Sequence, residues 1–457
     1  MGFMHNIYDT FSDKVFLKKI IALALPVALQ GLLNTAVNLA DNIMIGALGE
    51  NAIAAVGLAN KVFFVFTLIT FGIVSGSSVL TAQYWGIQDI KSIRKVLGLS
   101  LILCILCSIF FTVSSLLYPE FIMSIFTDSP QTIKLGASYL SIVAISYPFN
   151  AISMAYISIL RAVNQVKIPV VITCTALFVN VFFNYMLIYG HFGAAALGVP
   201  GAAIATTIAR VFEMVILLVI IYINKGPAAA KMKEMFGYSK DFIRKYTITT
   251  SPVIANELMW GLGVTMYSLV YGRMGDMAVA TITIAQTIQD LLMVLFQGIG
   301  TAAAIMLGNT MGAGKLDLAK KYASRSMILQ TLLTIVIAVL CIAFRWSFIG
   351  LYNISDTVAQ DVSTCLIIFA LYMPFKMINY IIIVGILRSG GDTKASLILD
   401  TIGVWLIGIP LVYLGGMVLE LPIYWVYAMV LTEELFKFIF GFRRYKQRKW
   451  LKNLTIE

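Results

Sequence analysis

The sequence predicts an all-α integral membrane fold: twelve transmembrane helices in two six-helix lobes, related by pseudo-two-fold symmetry along the membrane normal. Three observations carry this expectation. Of the 457 residues, 60% are hydrophobic and 12% charged, about half the charged share of a soluble domain. Apolar stretches long enough to cross a bilayer recur along the chain. Glycines and prolines of the first half return in the second at a fixed offset.

The apolar runs place helices near residues 17–45, 52–80, 92–117, 133–160, 168–190 and 198–223. A basic linker follows at 224–245, and a second set falls near 246–272, 278–306, 318–343, 357–388, 394–414 and 423–442. The expected division is an N-lobe at 1–223, the cytoplasmic linker at 224–245, and a C-lobe at 246–457 with a short basic tail. Twelve spans of about 25 residues with short links leave no room for a soluble domain. The first run, Ile20–Ala40, is too long for a signal-peptide core and lacks a small-residue cleavage site, so no cleavable signal is expected.

The repeat supports the six-plus-six division. Pro26-Val27 recurs 226 residues later as Pro252-Val253. The same offset carries Gly46 onto Gly272, Gly49 onto Gly275, Ala54 onto Ala280, Gly72 onto Gly298 and Gly86 onto Gly312. Pro148-Phe149 maps onto Pro374-Phe375, and Leu160-Arg161 onto Leu387-Arg388 one residue later in register. Six helices per half is an even number, so both halves insert the same way round, as parallel transporter repeats do. Most of these glycines read as packing positions where helices approach closely, and Pro26 and Pro252 as kinks.

The net charge of +11 would suggest nucleic acid in a soluble protein. Here the charge follows the loops. With the N-terminus in the cytoplasm, 27 of the 33 Lys and Arg fall in or near the even-numbered connections and the two tails, counting those within about two turns of a helix end. Lys134, Arg273 and Arg345 fall on the opposite side, and Lys61, Arg210 and Lys376 within helices. The positive-inside rule then sets both termini in the cytoplasm of a multi-pass plasma (inner) membrane protein. The five cysteines all lie in apolar stretches and read as packing residues rather than a disulfide framework. With two histidines and no metal-ligand spacing, nucleophile elbow or phosphate-binding loop, no enzymatic activity and no ATP motor are expected.

Polar residues inside spans are costly and point to function. In helix one, Gln30, Asn34, Asn38 and Asp41 share one face at i, i+4, i+8 and i+11. Helix five offers Asn180 and Asn184, and helix six Thr206, Arg210 and Glu213. A carboxylate with amide carbonyls and a hydroxyl suits a hard cation, and a lone carboxylate equally suits a proton. The spacing leaves open a third reading, with Asp41 solvated at the helix end. Arg210 and Glu213 read as a structural pair. The second half offers Asn256 and Glu257 in helix seven, Asp290 in helix eight, Lys376 in helix ten, Asp400 in helix eleven, and Glu433 and Glu434 in helix twelve. Asn256-Glu257 occupies the repeat position of Gln30-Gly31 rather than that of Asp41, so the lobes differ chemically. Lys376 reads as half of a buried pair with Asp290 or Asp400.

The stretches LALPVALQGLLNTAVNLADNIMIGALG, VNVFFNYMLIYG with LGVPGAAIAT, SPVIANELMWGLG and ILRSGGDTK resemble the MATE (multidrug and toxic compound extrusion) transporters over essentially the whole chain. The resemblance implies an outward-open V of two lobes. It also implies an N-lobe coupling-ion site at Asp41, Asn180, Asn184 and Thr206, with Na⁺ on Asp41, Asn180 and Asn184 as one form of it. Asn184 stands where the DinF-like branch often has Asp, which makes this site resemble the NorM-like variant with one carboxylate. Glu257 matches the NorM-like helix-seven Glu, but Lys376 and Asn379 stand where that helix would carry an acid. Glu257 is then either a second ion site or the partner of Lys376.

The expected function is secondary active antiport. Amphiphilic small molecules, cationic ones among them, would leave in exchange for Na⁺ or H⁺ by alternating access. No cofactor other than the coupling ion is expected. The expected partners are the solute and the lipid bilayer, with no nucleic acid, and the chain is expected to act as a monomer. The alternatives are a lipid-linked oligosaccharide flippase of the same superfamily, and a non-transporting receptor or channel. The flippase would line its cavity with several basic residues, and only Lys61, Arg210 and Lys376 are available.

Overall fold

The structure, a computed structural model, describes residues 2–352 and 354–456. Twelve long helices account for most of it. In the first half they are α1 (Lys14–Gly46), α2 (Glu50–Gly86), α3 (Ile90–Leu117), α4 (Pro130–Ala144 and Tyr147–Ala162), α5 (Lys167–Tyr189) and α6 (Val199–Asn224). The second half has α7 (Lys240–Arg273), α8 (Asp276–Gly312), α9 (Leu316–Ile349), α10 (Asp356–Gly390), α11 (Thr393–Val418) and α12 (Ile423–Lys446). There is no strand among the described residues. A backbone in lipid has to satisfy its own hydrogen bonds, and helices do so within each span.

Ten of the twelve are long and apolar enough to cross a membrane by themselves, and the two parts of α4, bent by 48°, make an eleventh. The bend falls just before Pro148, whose missing N–H frees the turn behind it. The twelfth, α12, is set apart by three charged residues in its middle, Glu433, Glu434 and Lys437. The 27 Lys and Arg on the cytoplasmic side include Lys437 beside the basic C-terminal tail, near the end of the expected span 423–442. The structure places it inside α12 and buries it, so it no longer counts toward the cytoplasmic charge.

The repeat has a conformational signature. Gly49 and Gly275 precede α2 and α8 with φ of 106° and 108°, a region that costs any side chain strain. Glycine at that offset is therefore required by the backbone.

The chain forms two compact units, residues 29–254 and residues 1–28 with 255–457. This differs from the expected boundaries. The sequence division put the whole of helix one in the N-lobe and residues 246–254 in the C-lobe. Both unit boundaries lie two residues past a helix proline, Pro26 or Pro252, and they are again 226 apart. Glycine packing explains the exchange. A Cβ on Gly298 of α8 would lie 2.7 Å from the backbone oxygen of Ala24, and one on Gly72 of α2 would lie 2.7 Å from Cα of Ile254. Backbone thus meets backbone between α8 and the start of α1, and between α2 and the start of α7. Within the second unit the start of α1 is also held to α9 by an Asp13–Arg325 ion pair and a Phe16–Tyr322 ring contact at 5.5 Å.

The expected linker is not a free tether. Its short helix Met232–Met235 lies on α3, where Gly98 leaves room for the Met235 carbonyl and Arg94 pairs with Glu234 at 2.7 Å. The tail after α12 likewise packs down. Trp450 is fully buried against Gly390, and Arg444 grips Asp392 through two hydrogen bonds of 2.7 and 2.8 Å.

Candidate functional site

In the first unit, four residues from three helices meet. The α5 pair Asn180 and Asn184, one turn apart, face the same way because 3.6 residues complete a turn. Asn184 Nδ2 donates to Asp41 Oδ1 of α1 at 2.6 Å and also lies 3.3 Å from Asn180 Oδ1. Asn180 Nδ2 donates in turn to Thr206 Oγ1 of α6 at 3.4 Å. Gly201 allows this approach, since its α6 backbone sits against the Leu187 carbonyl of α5. Asn180 and Asn184 are buried and Asp41 is half-buried. Tyr139 of α4, also buried, lies beside Thr206 and near Asp41. Tyr139 lay outside the sequence reading, because one tyrosine in an apolar helix carries no signal.

The donor set is one carboxylate, two amides and two hydroxyls. Asn184 Oδ1 is buried and without a hydrogen-bond partner. An oxygen in that condition costs free energy until something donates to it or coordinates it. The set therefore fits a proton carried on Asp41 or a monovalent hard cation shared among the oxygens. A single carboxylate is too little charge for a divalent ion.

The rest of the helix-one face divides. Gln30 is buried and accepts from Arg161 Nη2 of α4 at 2.6 Å. The Asn34 and Asn38 side chains make no hydrogen bond among the described residues, and Asn38 is exposed. Arg210 binds Glu213 at 3.0 Å as the spacing implies, and Glu213 also accepts from Thr173 at 2.7 Å. Both oxygens of that buried carboxylate are thus occupied.

The second unit corrects two expectations. Glu257 does not pair with Lys376. Its Oε1 lies 2.8 Å from Nη1 of Arg388, and both side chains are buried. Arg388 occupies the repeat position of Arg161, just as Asn256-Glu257 occupies that of Gln30-Gly31, so both units join an arginine at the end of the fourth helix to a polar residue in the first. Lys376 makes no ion pair within 4.0 Å among the described residues; Asp290 and Glu433 feel its charge from farther away. Asp400 pairs instead with Lys437, at 3.4 Å, and accepts from Asn256 Nδ2 at 3.1 Å. Depth decided these outcomes. Arg388 lies at the end of α10 and reaches inward, whereas Lys376, three turns earlier, faces elsewhere. The fixed offset of Arg161 and Arg388 was the available signal for Arg388, and the i, i+4 spacing to Glu433 was the signal for Lys437.

Comparison with known proteins follows the same geometry. The profile of the family described as MatE matches twice, at residues 26–186 and 252–414, with starts 226 apart. The "Uncharacterized transporter YisQ" of Bacillus subtilis is 25% identical over 96% of this chain and 96% of its own length. The "Probable multidrug resistance protein NorM" of Bradyrhizobium diazoefficiens is 28% identical over 86% of this chain and 85% of its own. Among solved structures, an outward-facing multidrug resistance MATE family transporter of the MOP superfamily aligns with a TM-score of 0.86, at 19% identity, covering 96% of this chain and 97% of that one. At that identity it speaks for the fold.

Proposed function

The chain belongs to the MatE family, and from that premise we propose that it is a multidrug efflux transporter of the plasma (inner) membrane. It exports amphiphilic small molecules, cationic ones among them, by alternating access, in exchange for Na⁺ or H⁺. Both termini are cytoplasmic in this reading, and the bias of Lys and Arg toward one side supports that. The names of curated relatives such as NorM support the solute class.

One observation carries the coupling reading: the Asp41, Asn180, Asn184 and Thr206 cluster, with a buried acceptor at Asn184 that lacks a donor. A proton on Asp41, or Na⁺ among these oxygens, neutralises the carboxylate and supplies the missing partner. Binding thereby changes how α1, α5 and α6 are held, which is what a coupling ion has to do. One charge moving down 100 mV provides about 2.3 kcal/mol, a roughly 50-fold solute gradient.

The experiment is solute efflux from proteoliposomes with Na⁺ and H⁺ gradients imposed separately. One gradient should drive efflux, and Asp41→Asn should abolish it while leaving expression and solute binding nearly intact. Full ion-driven efflux by Asp41→Asn would refute the coupling role. Solute flux that never runs against its own gradient would point to a channel.

A further inference from the structure

The second unit holds a set of ionisable groups that the proposed coupling site does not use. Glu433 and Lys437 of α12 are one turn apart at 3.3 Å, and the Lys437 Nζ is also 3.4 Å from Asp400 of α11. Glu433 Oε2 accepts from the Tyr267 hydroxyl of α7 at 2.7 Å. Glu434, next in the chain, accepts from Asn379 Nδ2 of α10 at 2.8 Å and, among the described residues, has no cation within ion-pair distance. All of these except Asp400 are buried, and Asp400 is half-buried. Two carboxyls thus hold one ammonium, and a third, Glu434, lies close enough to feel its charge. The other groups facing them are neutral or more distant. Tyr271 of α7 and Tyr427 of α12 are phenols, and Lys376 of α10 stands beyond ion-pair distance and is shared with Asp290.

Two further observations point to a missing donor. Asn256, which donates to Asp400, leaves its own buried Oδ1 without a partner. Asn379, which donates to Glu434, leaves its Oδ1 in the same condition. Both residues are only 2% exposed. An amide that gives its N–H to a carboxyl is placed to accept an O–H back from it once that carboxyl is protonated.

We propose that the Asp400, Glu433 and Glu434 carboxyls around Lys437 bind one exchangeable proton, giving the second unit a proton site separate from Asp41. An added proton removes one of the excess negative charges and, when it sits on Asp400 or Glu434, turns that carboxylate into the donor that the adjoining amide oxygen lacks. A metal cation is disfavoured because Lys437 already occupies the position between Asp400 and Glu433. The proton belongs to the cluster, since carboxyls this close titrate together. The backbone beside it is built for adjustment: residues 402–408 of α11 form a π-helical stretch, a feature that recurs at functional sites. Gly403 in that stretch makes room for the Lys437 side chain, and Gly408 makes room for the Tyr267 hydroxyl and Glu433. Protonation of Asp400 or Glu433 would loosen Lys437 from that partner and so change how α11 is held to α12.

The test is an infrared pH titration of the full chain in lipid, following the carboxylic-acid C=O band, in an Asp41→Asn background. The inference does not depend on the coupling role of Asp41, which that background removes. A titrating band is expected, and it should fall by one proton per chain in Asp41→Asn/Glu433→Gln/Glu434→Gln, where Asp400 and Lys437 remain balanced one to one. An undiminished band overturns the proposal. Should the triple variant fail to fold, Asp41→Asn/Glu434→Gln keeps the Asn379 contact and is expected to move the band's midpoint by about one pH unit or more; an unmoved midpoint again overturns it. Replacing choline chloride with NaCl should leave the midpoint in place. A shift with Na⁺ would show that a metal cation takes the site, and would also overturn the proposal.

Discussion

The Glu257–Arg388 pair offers the sharpest test of the second unit. At 2.8 Å, an effective dielectric of about 20 gives roughly 6 kcal/mol of attraction. Desolvation of two buried charges consumes much of this, so replacing both partners with neutral side chains should cost about 1–2 kcal/mol or less. Removing one leaves the other buried and uncompensated, at about 3–5 kcal/mol. The two single variants should also differ. Glu257→Gln strands a guanidinium that cannot shed its proton, whereas Arg388→Met strands a carboxylate that can acquire one. Glu257→Gln is therefore expected to be the worse of the two. The assay is a double-mutant cycle on thermal stability in detergent, with Glu257→Gln, Arg388→Met and their combination. A coupling energy of about 2 kcal/mol or more is expected. Additivity within about 0.5 kcal/mol would refute the pairing. The same cycle with Lys376→Met should be additive, since Lys376 is not in ion-pair contact with Glu257.

Gly298→Val should destabilise the chain by at least about 2 kcal/mol, because its Cβ would meet the Ala24 carbonyl and Ala28; Gly72→Val, its repeat equivalent, should do the same, and a melting temperature near wild type for either would contradict the packing. Cysteines at Glu50 and Asp276, beside the positive-φ Gly49 and Gly275, should both react with an impermeant thiol reagent from outside in a background without native cysteines; labelling from opposite sides would refute the six-plus-six topology. The Lys231 backbone N–H and the Arg94 guanidinium hold Glu234 below the usual carboxylate range. Its contribution to docking the linker on α3 is therefore present above the unfolded value of 4.5 and lost as pH falls through the folded one. Limited proteolysis of residues 225–239 should accelerate only in that acidic window, and Glu234→Gln should remove the pH dependence.

The sequence by itself determined the spans, the repeat and the shared face of Asn180 and Asn184, whereas the family resemblance implied that Asp41 and Thr206 join them, and Tyr139 carried no signal. The first follows because lipid tolerates only long apolar helices, and a run of about 20 such residues can do little else. The repeat is visible because glycines at close helix contacts and at the positive-φ turns before α2 and α8 tolerate no other side chain. Asn180 and Asn184 announce a common face because their spacing lies within one helix, where periodicity is fixed. Contacts between helices obey no such rule. Whether Glu257 meets Lys376 or Arg388, whether Asp400 meets Lys376 or Lys437, and whether Lys437 belongs to the tail or the interior depend on depth and rotation, which packing sets. The unit boundaries are of the same kind. Pro26 and Pro252 were legible as kinks, but the exchange of the segments before them rests on the backbone contacts at Gly72 and Gly298. A sequence shows that such glycines lie close to something; only the tertiary structure shows which helix, because close approach is a property of two surfaces and the chain states one at a time.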